Sequence, residues 1–332
     1  MIAATLEELM MRLSRIGVGV ACALGVTGLG AADAKFPTKP VRIVVPFPAG
    51  GPSDILTRLM QPKLADMWGQ QVIVDNRPGG GTVIGTDVVA KSPPDGHTVA
   101  MIYTGHATNP GLHKALPYDT LRDFSAVTLG TTLPLILATH PSIPASSVKT
   151  LIALAKAKPR ELAYATSGNG STGHLAGEMF KSVTRIDLMH VPYRGSQPAI
   201  TDTLGGQVAM TFDGLPAGLP YVKAGRLKGI ALTSLARSPQ LPEVPTIAES
   251  GYSGFEAVAW FGVIAPSKTP RSVITQMSAD MVKALQMPDV RNKLVEMGYT
   301  PVANTPEQFE QFIRAEIAKW GKVIKEAGIQ LD

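Results

Sequence analysis

The stretch Val41-Arg-Ile-Val-Val-Pro-Phe-Pro-Ala-Gly-Gly-Pro-Ser-Asp54 runs from a strand-like apolar segment into a loop holding Gly50, Gly51, a hydroxyl at Ser53 and a carboxylate at Asp54. Helical spacing of apolar residues follows. A strand, a bare-backbone loop and a helix start in direct succession bring unpaired N–H groups and the positive end of a helix dipole to one point. That point can hold an anion. The pattern recurs at Leu162–Thr166, where a strand leads into Ser167, Gly168, Asn169, Gly170 and Ser171 and then a helix from His174. Either loop alone is also what a tight connection requires; two matched loops favour binding. Asp54 is more often a helix-capping charge than a ligand contact, and His174 more often a first-turn polar residue. Asp213, after Val208–Phe212, is either a cleft residue or the start of a turn at Gly214.

Other chemistries fit less well. Gly79, Gly81 and Gly85 have the wrong interval for a dinucleotide fingerprint, and no acidic residue ends the next strand. Asn169-Gly-Ser-Thr-Gly173 approaches a nucleophile elbow but has Asn169 in place of the first glycine. The six histidines show no metal-binding spacing, and the single cysteine, Cys22, lies in an N-terminal leader. No cofactor or metal is expected.

The leader is basic at Arg12 and Arg15, apolar from Ile16 to Leu29 and small-residued at Ala32-Asp-Ala34, an export signal over residues 1–34 cleaved near Ala34. Glu7 and Glu8 suit such a signal poorly, which leaves Met11 as an alternative start. No later run is long and apolar enough to span a bilayer. The mature chain, with 29 Lys and Arg against 23 Asp and Glu, carries about +6. Its basic residues lack aromatic interleaving, so a nucleic-acid groove is not indicated; attraction of small anions is.

With 332 residues, the chain is long for one core, and two lobes are expected. Strand-like and helix-like runs alternate, which indicates α/β construction with mostly parallel sheets flanked by helices. Val41–Pro46, Gln71–Asp75, Thr98–Tyr103 and Ala126–Leu129 read as strands of one lobe. Leu135–Thr139, Leu162–Ala165, Leu188–Val191, Val208–Phe212 and Leu227–Leu232 read as strands of the other. Thr305-Pro-Glu-Gln308 starts a last helix whose apolar face runs from Phe309 to Ile324, and Gly328 stops it. That helix is expected to return to the first lobe, giving residues 35–132 plus 256–332 for one lobe and 133–255 for the other.

Further segments bear a family likeness: Lys39-Pro-Val-Arg-Ile-Val-Val-Pro-Phe-Pro48, Val74-Asp-Asn-Arg-Pro-Gly79, Pro94-Asp-Gly-His97, His190-Val-Pro-Tyr-Arg-Gly195, Leu204-Gly-Gly-Gln-Val208, Phe212-Asp213 and Trp260-Phe-Gly262. Across the whole mature chain the sequence resembles the periplasmic substrate-binding receptors of tripartite tricarboxylate transporters, the Bug-type family. The resemblance implies a periplasmic-binding-protein-like clamshell, not an enzyme, that closes on a small carboxylate such as a di- or tricarboxylate or an aromatic acid like terephthalate. It implies delivery to membrane permease subunits by a monomer, with no membrane insertion of the mature chain. It also implies that the loops Ala49–Asp54 and Ser167–His174 touch the ligand, with Phe47, Thr104–His106, Arg194 and Asp213 brought toward the cleft. Two positions depart from the family pattern: Pro52 removes a donor from the first loop, and Pro62 predicts a kink or early stop in the helix after it. The alternatives are a secreted hydrolase of small esters built on Ser171 and His174, and a receptor that signals to a membrane partner.

Overall fold

The computed structural model describes residues 36–331, so the export signal expected over residues 1–34 lies outside the described residues. The chain runs β1 (Val41–Val45), α1 (Pro52–Trp68), β2 (Val72–Asn76), α2 (Val83–Ala90), β3 (Thr98–Tyr103), α3 (Gly105–Leu112) and β4 (Phe124–Leu133). It continues through β5 (Leu135–Thr139), α4 (Val148–Ala157), β6 (Ala163–Thr166), α5 (Thr172–Thr184), β7 (Met189–Pro192), α6 (Ser196–Leu204), β8 (Met210–Gly214), α7 (Leu215–Lys223) and β9 (Lys228–Leu232). Last come β10 (Ala259–Pro266), α8 (Arg271–Gln286), α9 (Pro288–Glu296), β11 (Thr300–Pro301) and α10 (Pro306–Ala327).

Two sheets result, ordered β11-β4-β10-β3-β1-β2 and β7-β6-β8-β5-β9. The α/β lobes expected from the sequence are present, but both sheets are mixed rather than mostly parallel. In the first, β1 pairs in parallel with β2 and β3, whereas β10 runs antiparallel to β3 and β4. In the second, β6 pairs in parallel with β7 and β8, whereas β5 runs antiparallel to β8 and β9. The antiparallel strands β5 and β10 are the first strands after each passage between sheets. The link from β4 to β5 is Pro134 alone.

Packing decides several local conflicts. Pro62 does not stop α1, which continues to Trp68 and ends at Gly69 in the left-handed region (φ 61°). Leu56, Met60, Leu64 and Trp68 are buried along one face, and the Trp68 indole donates to Asp280 Oδ2 at 2.8 Å. Pro52 sits in the first turn of α1, where one missing N–H costs the helix nothing. The helices α3 and α7, each interrupted by proline and glycine, were not expected from the sequence; tertiary burial overrides propensity there.

The last helix begins with the expected reciprocal cap between Thr305 and Gln308 and ends at Gly328 (φ 64°). Its buried face also includes Glu316, which accepts from the indoles of Trp260 (2.9 Å) and Trp320 (2.8 Å) and pairs with Lys319. The helix packs on α3 and β4 of the first sheet and also meets α5 of the second.

In the second lobe α5 presses directly on β8. A Cβ at Gly173 would lie 2.3 Å from the Phe212 carbonyl oxygen. Gly173→Ala should therefore cost about 1 to 3 kcal/mol in urea unfolding; an unchanged midpoint would show that this contact has slack.

Candidate functional site

The carboxyl ends of β1 and β3 in one sheet and of β6 and β8 in the other open onto a single cleft of about 460 Å³. One wall comprises Phe47, Ser53, Tyr103, Asn109, Leu112 and Phe261. The other comprises Ser167 to Gly173, Gly195, Ser196 and Asp213, with Leu133, Leu135 and Ala259 where the chain passes between sheets. Phe47 meets Tyr103 edge-on at 4.6 Å. Among these lining residues there is no Lys, Arg or His, and Asp213 is the one carboxylate. Any negative charge in the cleft must therefore be met by amides and hydroxyls.

The first loop is held by Asp54, which is only 3% exposed. Its Oδ2 accepts from the Gly50 N–H (2.9 Å) and from Arg58 Nε (2.9 Å), and its Oδ1 accepts from Asn76 Nδ2 (3.0 Å). Burial alone would raise its pKa, but the Arg58, Gly50 and Asn76 donors hold it below the usual carboxylate value. Asn76 also donates to the Phe47 carbonyl (3.0 Å), so the end of β2 pins the loop after β1. Gly50, with φ 82°, thus spends its N–H inside the protein. No side chain caps α1, and Ser53 in its first turn lines the cleft. With the Gly50 N–H committed to Asp54, Ser53 is the first-turn residue that this loop brings to the cleft.

The second loop follows the same logic with a different anchor. The Gly170 N–H donates to His174 Nδ1 (3.1 Å), the Gly168 N–H to Thr166 Oγ1 (3.3 Å) and the Ser171 N–H to the Gly168 carbonyl (3.2 Å). Ser171 is the N-cap of α5, its Oγ accepting from the His174 N–H at 3.2 Å. The His174 ring stacks on His190 at 3.9 Å and 8°, and His190 Nε2 meets Thr166 Oγ1 at 2.7 Å. Burial pushes both imidazoles down to about 4, with Lys181 adding to it at His174 and His174 adding to it at His190. Both rings are neutral at physiological pH, as the Gly170 hydrogen bond requires of His174. Thr172 and Gly173, in the first turn of α5, line the cleft.

Asp213 ends β8 with 5% exposure. Its Oδ1 accepts from Ser196 Oγ (2.7 Å) and from the Gly214 N–H (2.7 Å), while its buried Oδ2 has no partner. Burial raises its pKa, and the Ser196 and Gly214 donors only partly oppose that.

Of the residues singled out from sequence, Phe47, Ser53, Ser167, Gly168, Asn169, Gly170, Ser171 and Asp213 line the cleft. Ala49 and Gly50 are exposed and Gly51 half-buried, outside that lining. Asp54 and His174 stand behind their loops as anchors. Thr104 is buried and its Oγ1 accepts from the Trp260 N–H at 3.1 Å, which fixes β10 instead of facing the cleft. His106 packs against Tyr118 and Phe124, and burial pushes it down to about 4. Arg194 is exposed and outside the lining.

Thr172 and Gly173 fall within the loop expected to touch the ligand, whereas sequence reasoning missed Tyr103, Asn109, Leu112, Ser196, Phe261 and Leu331 as lining residues. Tyr103 was detectable as the last residue of a strand pointing at the cleft. Leu331, whose N–H donates to the Leu112 carbonyl at 3.0 Å, carries no local signal.

Comparison with known proteins agrees with this architecture. The model of the tripartite tricarboxylate transporter family receptor matches residues 56–329. Protein BugT of Bordetella pertussis is 39% identical over 321 residues, covering 96% of this chain and 98% of that one. The solved structure of R. palustris Rpa4515 with adipate has a TM-score of 0.79 at 40% identity and covers 89% of this chain and 100% of that one. MatC (Rpa3494) from Rhodopseudomonas palustris, with bound malate, has a TM-score of 0.74 at 30% identity and covers 87% and 100%. Sequence along most of its length and the paired α/β sheets concur: the chain belongs to the tripartite tricarboxylate transporter family of receptors.

Proposed function

We propose that this protein is a periplasmic receptor that captures a small organic carboxylate in its cleft and delivers it to a tripartite tricarboxylate-type membrane permease. The observation that carries the reading is the meeting of two helix starts, α1 and α5, from two different sheets, on one cleft without a cation. Hydrogen bonds to an ionised oxygen are the stronger kind, so amides and hydroxyls suffice for anion capture. A guest with two carboxylates spans both starts, and the adipate and malate bound by the relatives are of this class. Residues 35–132 with 256–332 then act as one lobe and 133–255 as the other, in keeping with sheet membership. Among the described residues no helix is long and apolar enough to cross a membrane.

The hydrolase alternative loses its support. Ser171 Oγ is bonded to the backbone of His174, and the His174 ring accepts from the Gly170 N–H, so the two form a helix cap and a loop anchor instead of a nucleophile and base.

Adipate or malate should raise the melting temperature of the mature chain, because a ligand that binds only the folded form stabilises it; no shift with either of these or with a tricarboxylate would remove the reading. Ser171→Asp keeps a good N-cap but adds a negative charge where the guest must sit, and should weaken binding by about tenfold or more in calorimetry. Ser171→Asn, which caps without charge, separates repulsion from loss of the cap. Asp54→Ala should release Gly50, Arg58 and Asn76 together, costing about 1 to 3 kcal/mol of stability in urea titration as well as affinity.

A further inference from the structure

Asp213 is the one group in the cleft whose chemistry runs against an anionic guest. It is buried, and no cation offsets it. Asp213 lines the cleft; its Oδ1 already accepts two hydrogen bonds, from Ser196 Oγ and the Gly214 N–H, while its buried Oδ2 has none. A buried oxygen with lone pairs only would repel the carboxylate that this cleft is read to bind. The same oxygen carrying a proton would be a donor, and Oδ2 is where the proton belongs because Oδ1 is fully engaged as an acceptor.

The surroundings leave no other group to absorb the charge. Beside Asp213 in the second sheet, β5 contributes Ile136, with Leu135 opposite Gly214, while β6 pairs earlier on β8, Tyr164 with Met210 and Ala165 with Thr211. On α5, His174 is committed to Gly170, and Glu178 pairs with Lys181. Beside α6, Tyr193 is bonded to Asp202 and Arg194 is exposed; His190 on β7 is bonded to Thr166. The first turn of α7 brings Leu215 and Pro216, and the last turn's Lys223 is bonded to Gln240. Across the cleft the one titratable lining residue is Tyr103, kept protonated by burial that pushes it up to about 12.

We propose that Asp213 takes a proton from solvent when a carboxylate enters, so that its Oδ2 becomes a hydroxyl that donates to the ligand's ionised oxygen. The inference rests on the carboxylate reading of the cleft. One O–H bond forms on Asp213, the proton comes from water or buffer, and the ligand stays ionised. The result is capture of an anion and a proton together, with the cleft one charge less negative than it would otherwise be. The sign follows from the geometry. A neighbouring anion favours the protonated acid, so the acid's pKa in the complex lies above that in the empty cleft, itself already raised by burial. Between those two values each binding event takes up a proton, and affinity falls as pH rises.

The test is calorimetry of the mature chain with adipate and with malate from about pH 6 to about pH 9, in buffer pairs of low and high ionisation enthalpy. The expected result is uptake approaching about one proton per ligand, and a dissociation constant rising by up to about tenfold per pH unit on the alkaline side. In Asp213→Asn the amide nitrogen replaces Oδ2–H at all pH values. The variant should show no linked proton and a flat profile, and should bind more tightly than wild type at about pH 9. Its melting temperature without ligand, expected to exceed that of wild type at about pH 8, checks that it is folded. Wild-type binding with no proton uptake and no pH dependence would overturn the proposal. So would loss of binding in a folded Asp213→Asn, since that would make Asp213 an ionised acceptor for a donor on the ligand. Failure of wild type to bind either acid at any pH would instead remove the carboxylate reading, and this proposal with it.

Discussion

A backbone amide in a loop must either find a partner in the protein or face the ligand, and both halves of this cleft are arranged by that constraint. In each loop a glycine N–H is already committed inside the protein. The Gly50 N–H goes to Asp54 and the Gly170 N–H to His174. Each anchor lies three residues into its helix or less, so the same side chain that satisfies the loop also sets the position of the first turn. The first turns themselves also reach the cleft, Ser53 on one side and Thr172 and Gly173 on the other, beside the loop residues Ser167 to Ser171. The anchors differ in charge, a carboxylate held ionised by Arg58 and an imidazole held neutral by burial, yet perform the same task. Losing either would leave a loop amide unpaired and a helix start misplaced, which makes these residues as consequential for affinity as those that touch the ligand.

The two halves become one site through the strands that pass between sheets. Leu133 and Leu135 flank Pro134, and Ala259 and Phe261 begin the return strand; all four residues line the cleft. A guest touching both helix starts therefore sits directly beside the covalent connections between the sheets. Ligand binding can shift a protein between arrangements only through differential affinity for them. A carboxylate gripped from one sheet alone has none to offer, whereas one gripped from both does. The last helix adds a further link between the halves, since it packs on α3 and β4 while also meeting α5.

The sequence made the strand-loop-helix succession legible because apolar period, glycine and cap residues are local properties. The same holds for the last helix, where Thr305, Gln308 and Gly328 behave as their types imply. Strand direction was not legible: burial pattern reports that β5 and β10 are covered on both faces, not which way they run. Nor were α3 and α7, whose Pro and Gly content argues against helix and whose stability comes from burial of residues such as Ala107 and Leu215. In the site, residue type located the two loops but not the use of each donor. Gly50 and Gly51 look equivalent in sequence, and only the fold reveals that Asp54 consumes the first. Thr104 and His106 lie close to the cleft in sequence, yet one fixes the Trp260 backbone and the other packs against Tyr118 and Phe124.

The electrostatics separate attraction from recognition. The chain's basic surplus, +5 over the full sequence, acts over distances comparable to the Debye length, about 8 Å at physiological salt, and draws anions toward the surface. Inside the cleft that surplus is absent, because Arg58 is engaged with Asp54 and Arg194 is exposed outside the lining. A cation in the wall would bind many anions strongly and with little regard for shape. Amides and hydroxyls fixed on two rigid helix starts instead reward a guest whose ionised oxygens fall at the right separation, and the apolar surface of Phe47, Leu112 and Phe261 rewards what lies between them. Discrimination among carboxylates therefore rests on geometry. The one buried carboxylate in the wall makes the balance of protons, as well as the fit, part of what the cleft can tell apart.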